Sequence, residues 1–137
     1  MMRPEEHLLL SANLAPGADY ADGMRRILPL YDNELTADWL FAWLKDLGVE
    51  RTDGDIRFTI EEAAGLKRIV ARFEFTRERR IRVDSQDFMF APGDRIRLFF
   101  SYRHTPELLK RLLAEHSLRV VNQWISHSEE EGVFLVK

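Results

Sequence analysis

The sequence predicts an α+β chain, with pieces of a partial α/β sheet at both ends and an antiparallel block inserted between them. Three observations predict it. Short apolar runs that read as strands stand at 7–14, 118–125 and 132–136. Helical spacing covers 33–47 and the stretch that opens at Thr105. Between the two helical stretches the apolar residues alternate with polar ones from Asp55 to Arg103, the pattern of antiparallel strands with one wet face.

The first run, HLLLSANL at 7–14, ends in Ala15-Pro16-Gly17. A short apolar run closed by turn residues suits a strand buried on both faces, as in a parallel sheet. A helix follows over 19–28, weakened by Gly23 and ended by Pro29. The next helix, 33–47, has Asn33 as N-cap, Glu34 in its first turn and Gly48 as its stop. Its apolar stripe is Leu35, Trp39, Leu40, Trp43, Leu44 and Leu47. Core packing is the expected role of Trp39 and Trp43, and of Trp124 later in the chain.

In the middle block Ile56, Phe58 and Ile60 alternate with Arg57, Thr59 and Glu61. Ile69, Ala71, Phe73 and Phe75 repeat the period over 67–76, and Ile81 and Val83 continue it. Over 95–103, Ile96, Leu98, Phe100 and Tyr102 face one way and Arg95, Arg97, Phe99, Ser101 and Arg103 the other. Thr105-Pro106-Glu107 then opens a helix with an N-cap, a proline at the first position and an early acid. Leu108, Leu109, Leu112 and Leu113 form its buried stripe. Two strands close the order, joined by the acidic turn Ser128–Glu131.

The length of 137 residues fits one domain, and an apolar fraction of 45% is enough for a real core. Twenty basic and 23 acidic residues leave a net charge of −3, with no broad positive field for nucleic acid or anionic lipid. The one basic cluster, Arg77, Arg79, Arg80 and Arg82, reads as a solvated strand face. Without cysteine the chain has no disulfide and no thiolate metal site. No apolar run approaches the roughly 20 residues of a membrane helix, and the first six residues carry no signal core. The expectation is a soluble, cytoplasmic protein with no membrane and no nucleic-acid partner.

Motifs narrow the chemistry by exclusion. No Gly-rich phosphate or dinucleotide loop can be assembled from the seven scattered glycines. His7, His104, His116 and His127 share no metal-ligand spacing, so no metal is expected. No nucleophile elbow is present, and no residue stands out as a catalytic base.

Two segments carry a resemblance. The first is Tyr31-Asp32-Asn33, followed by a helix and preceded by HLLLSANL. The second is Phe90-x-x-Gly93-Asp94-x-Ile96-x-x-x-x-Ser101-Tyr102-Arg103-x-Thr105. With the ending Val120-x-x-x-Trp124 and Gly132-x-Phe134, they resemble the histidine-specific SAM-dependent methyltransferases of the ergothioneine-synthesis type. The likeness spans 8–136. It implies a Rossmann-like methyltransferase sheet, with a substrate domain of antiparallel strands and helix inserted after its fifth strand. On this chain, treated as one domain over 1–137, 7–30 and 103–137 would be the C-terminal part of that sheet, and 31–102 the insertion. The family's SAM loop and ribose acid would precede Met1. The resemblance therefore implies SAM as cofactor of the intact enzyme and none for this chain alone, and a strand so near the N-terminus suggests truncation.

The resemblance also implies four substrate-binding residues. Tyr31 stands at the tyrosine that contacts the amino-acid substrate, with a buried tyrosine after Pro29 as the alternative. Ser101 keeps the serine of the family's Glu-x-Ser string, but Phe99 takes the place of the glutamate. That loss removes the carboxylate that would hold an imidazole N–H and points away from histidine, toward a more apolar or aromatic amine. Phe99, an apolar ring among Arg95, Arg97, Ser101 and Arg103, lines either a pocket or a neighbouring loop. Tyr102 counts first as core and second as site. Two functions follow: the substrate-recognition portion of a methyltransferase for an amino acid or small amine, inactive alone, or a non-enzymatic module that binds or dimerises. In either, an open sheet edge would favour a homo-oligomer.

Overall fold

The computed structural model describes residues 6–137. Its elements are β1 (Leu8–Asn13), α1 (Tyr20–Tyr31), α2 (Glu34–Asp46), a 3₁₀ turn (Arg51–Asp53), β2 (Gly54–Ala63), β3 (Leu66–Phe75), β4 (Arg79–Val83), β5 (Gln86–Phe90), β6 (Arg95–Arg103), α3 (Pro106–Glu115), β7 (Val120–Ile125) and β8 (Glu131–Val136). The fold is mixed, with three α-helices and antiparallel pairing in the β1-β8-β7 sheet and the β4–β5 hairpin. The chain divides into two compact units, one holding 6–27, 62–68 and 102–137, the other 28–61 and 69–101.

In the first unit β1, β8 and β7 form a sheet in that order. Both pairs are antiparallel, Leu10 facing Phe134 and Trp124 facing Val133. One face of this sheet packs on α3. Leu14, Leu109, Phe134 and Val136 are its buried core, joined by Leu10, Leu113, Val120 and Ile125. Cross-strand partners point to the same face, so Leu9, Leu135, Val133 and Trp124 share the opposite one. There Leu9 is 65% exposed and Trp124 52%.

This corrects the reading of β1 as a strand buried on both faces in a parallel sheet. It is an edge strand with one antiparallel neighbour, and Leu8 and Leu9 are exposed. Just beyond β1, Leu14 makes an isolated parallel bridge with His104. Trp124 is likewise exposed, not core.

Helix α1 runs through Pro29 to Tyr31 and does not stop before it. Proline removes one backbone donor, but it sits in the last turn. The amide of Asp32 still reaches the Leu28 carbonyl at 2.9 Å. Gly23 is buried in this helix because the chain passes close by. A Cβ there would lie 2.5 Å from the Pro16 carbonyl oxygen.

Arg103 departs from the polar, solvent-facing side of the strand that alternation gave it. Arg103 is buried, and its Nη1 donates to the carbonyls of Leu14 (3.2 Å) and Glu130 (3.1 Å). Glu129 accepts the Gly17 amide at 3.0 Å. Tyr20 donates its hydroxyl to the Arg103 carbonyl at 2.5 Å and accepts the Lys67 amide at 2.8 Å. Burial raises the pKa of this phenol.

In the second unit α2 begins as its cap predicts, Asn33 Oδ1 accepting the Thr36 amide at 2.9 Å. It ends at Gly48, whose φ of +86° glycine adopts without strain. The buried stripe is narrower than the spacing suggests. Leu40, Phe41 and Leu44 are buried, whereas Leu35, Trp39 and Trp43 are exposed. The two tryptophans are therefore not core, and Phe41 takes that place. The core gathers Phe41, Leu44, Val49, Phe73, Phe75 and Ile81, with Phe75 and Phe90 stacked at 4.5 Å. Strands β2, β3 and β6 form a sheet in that order, β3 in the middle. That position explains why Val70, out of register with the alternation, is buried too.

The arginine cluster divides. Arg80 and Arg82 pair with Asp87, whose carboxyl is held down to about 2 by Arg82 and Arg80. Arg77 and Arg79 do not form a merely solvated face. They close on Asp53, which is fully buried.

Candidate functional site

The candidate site is built where the end of α1 meets strand β6 in the second unit. Tyr31 is the last residue of α1. Asn33 fixes the exit of the chain. Its side-chain amide donates to the Leu30 carbonyl at 2.8 Å, while its Oδ1 caps α2. One side chain thus ties the end of one helix to the start of the next, and the backbone between them carries Tyr31. On β6, Phe99 and Ser101 are two residues apart and share a face.

These three side chains meet. The Tyr31 hydroxyl donates to Ser101 Oγ at 3.4 Å, and the Tyr31 and Phe99 rings lie 5.4 Å apart at 30°. All three are half-buried, so Phe99 is neither a solvent-facing ring nor a core ring. Tyr102 is not brought to this group. It belongs to the other unit, where its hydroxyl accepts from Arg68 Nη1 at 3.2 Å and the guanidinium lies 5.6 Å from its ring. Phe100, read as inward-facing by alternation, is exposed, with the Arg97 guanidinium 5.1 Å over it.

The trio offers two hydroxyls and an aromatic wall, and no carboxylate. A hydroxyl both donates and accepts, so the pair can serve an amine or a carboxylate. The ring can pack on an apolar or cationic group.

Sequence reasoning missed Asp53. Its Oδ2 accepts the Glu50 amide at 2.7 Å, Oδ1 accepts from Arg77 Nε at 2.6 Å, and Arg79 Nε lies 3.2 Å from Oδ2. Burial pushes this carboxyl up, but the Glu50 amide and the two guanidiniums outweigh it and hold it below its ordinary value. The signal was the pairing of an acid in a tight turn with two of four clustered arginines. Periodicity does not register it, because Asp53 lies outside any strand or helix stripe.

Among the described residues no group of three His, Asp or Glu side chains is placed to hold a metal ion. No helix among them is long and apolar enough to cross a membrane. The connection from β1 to α1 holds two glycines in contact with the chain itself. Its Gly17 amide is taken by the Glu129 carboxylate, and its Gly23 is pressed against Pro16.

Residues 45–137 of the chain match the family model described as histidine-specific methyltransferase, SAM-dependent. The match includes Phe99, Ser101 and Tyr102, and Tyr31 precedes it. A search of curated proteins returned no match.

Proposed function

The chain belongs to the histidine-specific, SAM-dependent methyltransferase family, and we propose that it is the acceptor-recognition portion of such an enzyme. It acts on an amino acid or small amine, and it is inactive without residues beyond those described to hold SAM. The observation that carries this reading is the meeting of Tyr31, Phe99 and Ser101. Methyl transfer rests largely on aiming the acceptor's lone pair at the methyl group. The Tyr31 and Ser101 hydroxyls hold the acceptor by hydrogen bonds, and the Phe99 ring packs beside it. SAM supplies the methyl group when bound, and this chain's residues orient the nitrogen that receives it.

Phe99 sets the acceptor class. An imidazole held without a carboxylate loses its charged partner, so an aromatic or alkyl amine is the better fit. Calorimetric titration of an aromatic-amine and histidine panel, on the chain and on Phe99→Glu, tests this. The expected result is amine preference in the parent and a shift toward histidine in the variant. Equal affinities in both proteins would refute the assignment.

The sheet supports a finer reading, that β1, β8 and β7 are the closing strands of a Rossmann-like methyltransferase sheet. The support is the strand order, the antiparallel central strand and the open β1 edge. A second reading, a non-enzymatic module that self-associates, draws on the apolar residues Leu9, Val133 and Trp124 left exposed on the outer sheet face. An open edge beside an apolar face favours pairing between copies.

A further inference from the structure

A groove of about 450 Å³ lies along α2 in the second unit, lined by Trp39, Leu40, Ala42, Trp43, Asp46 and Leu98. It shares no lining residue with the Tyr31–Phe99–Ser101 group. Trp39, Trp43 and Asp46 fall at i, i+4 and i+7 of one helix and therefore on one side of it. Leu40 and Leu98 give it an apolar base.

Two features distinguish this groove from an ordinary apolar patch. The first is the aromatic content. Trp39 is 68% and Trp43 55% exposed, although large aromatic side chains ordinarily contribute most when buried in a core or interface. Cation–π contacts are made on Phe41, Tyr20, Tyr102 and Phe100, and among the described residues none is recorded on either indole. The second is the charge. The carboxylates nearby on the chain, Asp38 and Glu50, are paired with Arg51 and with Arg77 and Arg79. Asp46 has no ion-pair partner among the described residues, and it lines the groove.

We propose that this groove binds an alkylated ammonium group, with the indoles of Trp39 and Trp43 as its walls and Asp46 as its counter-charge. The chemistry selects the ligand class. Tryptophan is the best side-chain partner for a cation, and rings grouped around a quaternary ammonium are the familiar use of that attraction. A bare primary ammonium is strongly hydrated and gains less at an exposed site, and a guanidinium prefers a forked carboxylate contact. An alkylated ammonium sheds its water more readily, packs its methyl groups on Leu40 and Leu98, and needs only one anion. A volume of this size accommodates a small molecule.

The test is tryptophan fluorescence of the full chain titrated with choline, tetramethylammonium and the uncharged choline isostere 3,3-dimethylbutanol. The expected result is saturable quenching by both cations, with the neutral isostere at least about fivefold weaker, the size of a cation–π and ion-pair contribution at an exposed site. Asp46→Asn should weaken choline by about three- to tenfold. Trp39→Ala should abolish saturation, and Trp124→Phe should leave it unchanged. The substituted side chains are exposed, so circular dichroism should show the parent fold in each variant. Equal binding of the neutral isostere would overturn the proposal in favour of a plain apolar groove. So would quenching that Trp124→Phe removes, or self-association lost on Trp39→Ala and Trp43→Ala.

Discussion

The hydroxyl of Tyr31 donates to Ser101 Oγ at 3.4 Å, joining the end of α1 to strand β6 across 70 residues of chain. Phe99 lies beside them with its ring 5.4 Å from that of Tyr31. Tyr31→Phe and Ser101→Ala should each weaken acceptor binding by about tenfold, the value of one hydrogen bond to a charged or polar ligand group. Neither should lower stability by more than about 1 kcal/mol. Paired binding and urea-denaturation measurements distinguish this from a structural role, in which stability falls and binding does not change selectively.

Asp53 should be the most sensitive polar position. Replacing it by Asn removes the anion that Arg77 and Arg79 close on. The expected loss is about 2–4 kcal/mol, the range for breaking one partner out of a buried pair, reduced because both guanidiniums are partly solvated. Arg80→Ala, on an exposed hairpin, should have little effect. Denaturant melts of the two variants check the contrast.

The same residue gives a pH dependence with a defined sign. The folded-state pKa of Asp53 lies below its ordinary value of 3.8. Its stabilisation is therefore complete above that value and is lost as pH falls through the lower folded value. His104 acts earlier. Burial lowers its pKa below the ordinary 6.5, against a backbone hydrogen bond with Asn13 that raises it. Its protonation is favoured in the unfolded chain, so stability begins to fall as pH drops below about 6.5. Melting temperatures from pH 8 to 3 should show two declines. His104→Gln should remove the first, and Asp53→Asn should reduce the second, to which the Asp87 carboxyl also contributes.

Gly23→Ala sets helix propensity against packing. Alanine favours the helix by about 1 kcal/mol. The added Cβ would meet the Pro16 carbonyl oxygen at 2.5 Å and Ala15 at 3.0 Å, both of which must move. Overpacking of this kind costs about 1–3 kcal/mol, so the variant should be less stable than the parent. A thermal melt decides the sign.

Much of the fold was legible because period and caps are local. Asn33, Thr105 and the stop at Gly48 set helix ends that the structure places within a residue or two of the spacing. What failed was the decision of which apolar residues are covered. Leu9, Trp39, Trp43 and Trp124 have the spacing of core residues and lie exposed. Periodicity reports that a face is apolar, and coverage depends on which elements pack there. The same limit hid Arg103, whose burial follows from two carbonyls brought to it by distant segments. Of the candidate site, Tyr31, Phe99 and Ser101 were named from the sequence and lie together. Tyr102 was named with them and lies with Arg68, because adjacent strand residues point to opposite faces.

The most direct test of acceptor recognition is an amide-and-side-chain NMR titration of the chain with an aromatic amine, with histidine as comparison. The account predicts saturable shifts centred on Tyr31, Phe99 and Ser101, stronger for the amine, and lost in Tyr31→Phe combined with Ser101→Ala. Shifts that leave those three residues unmoved, or that survive the double substitution, would contradict it.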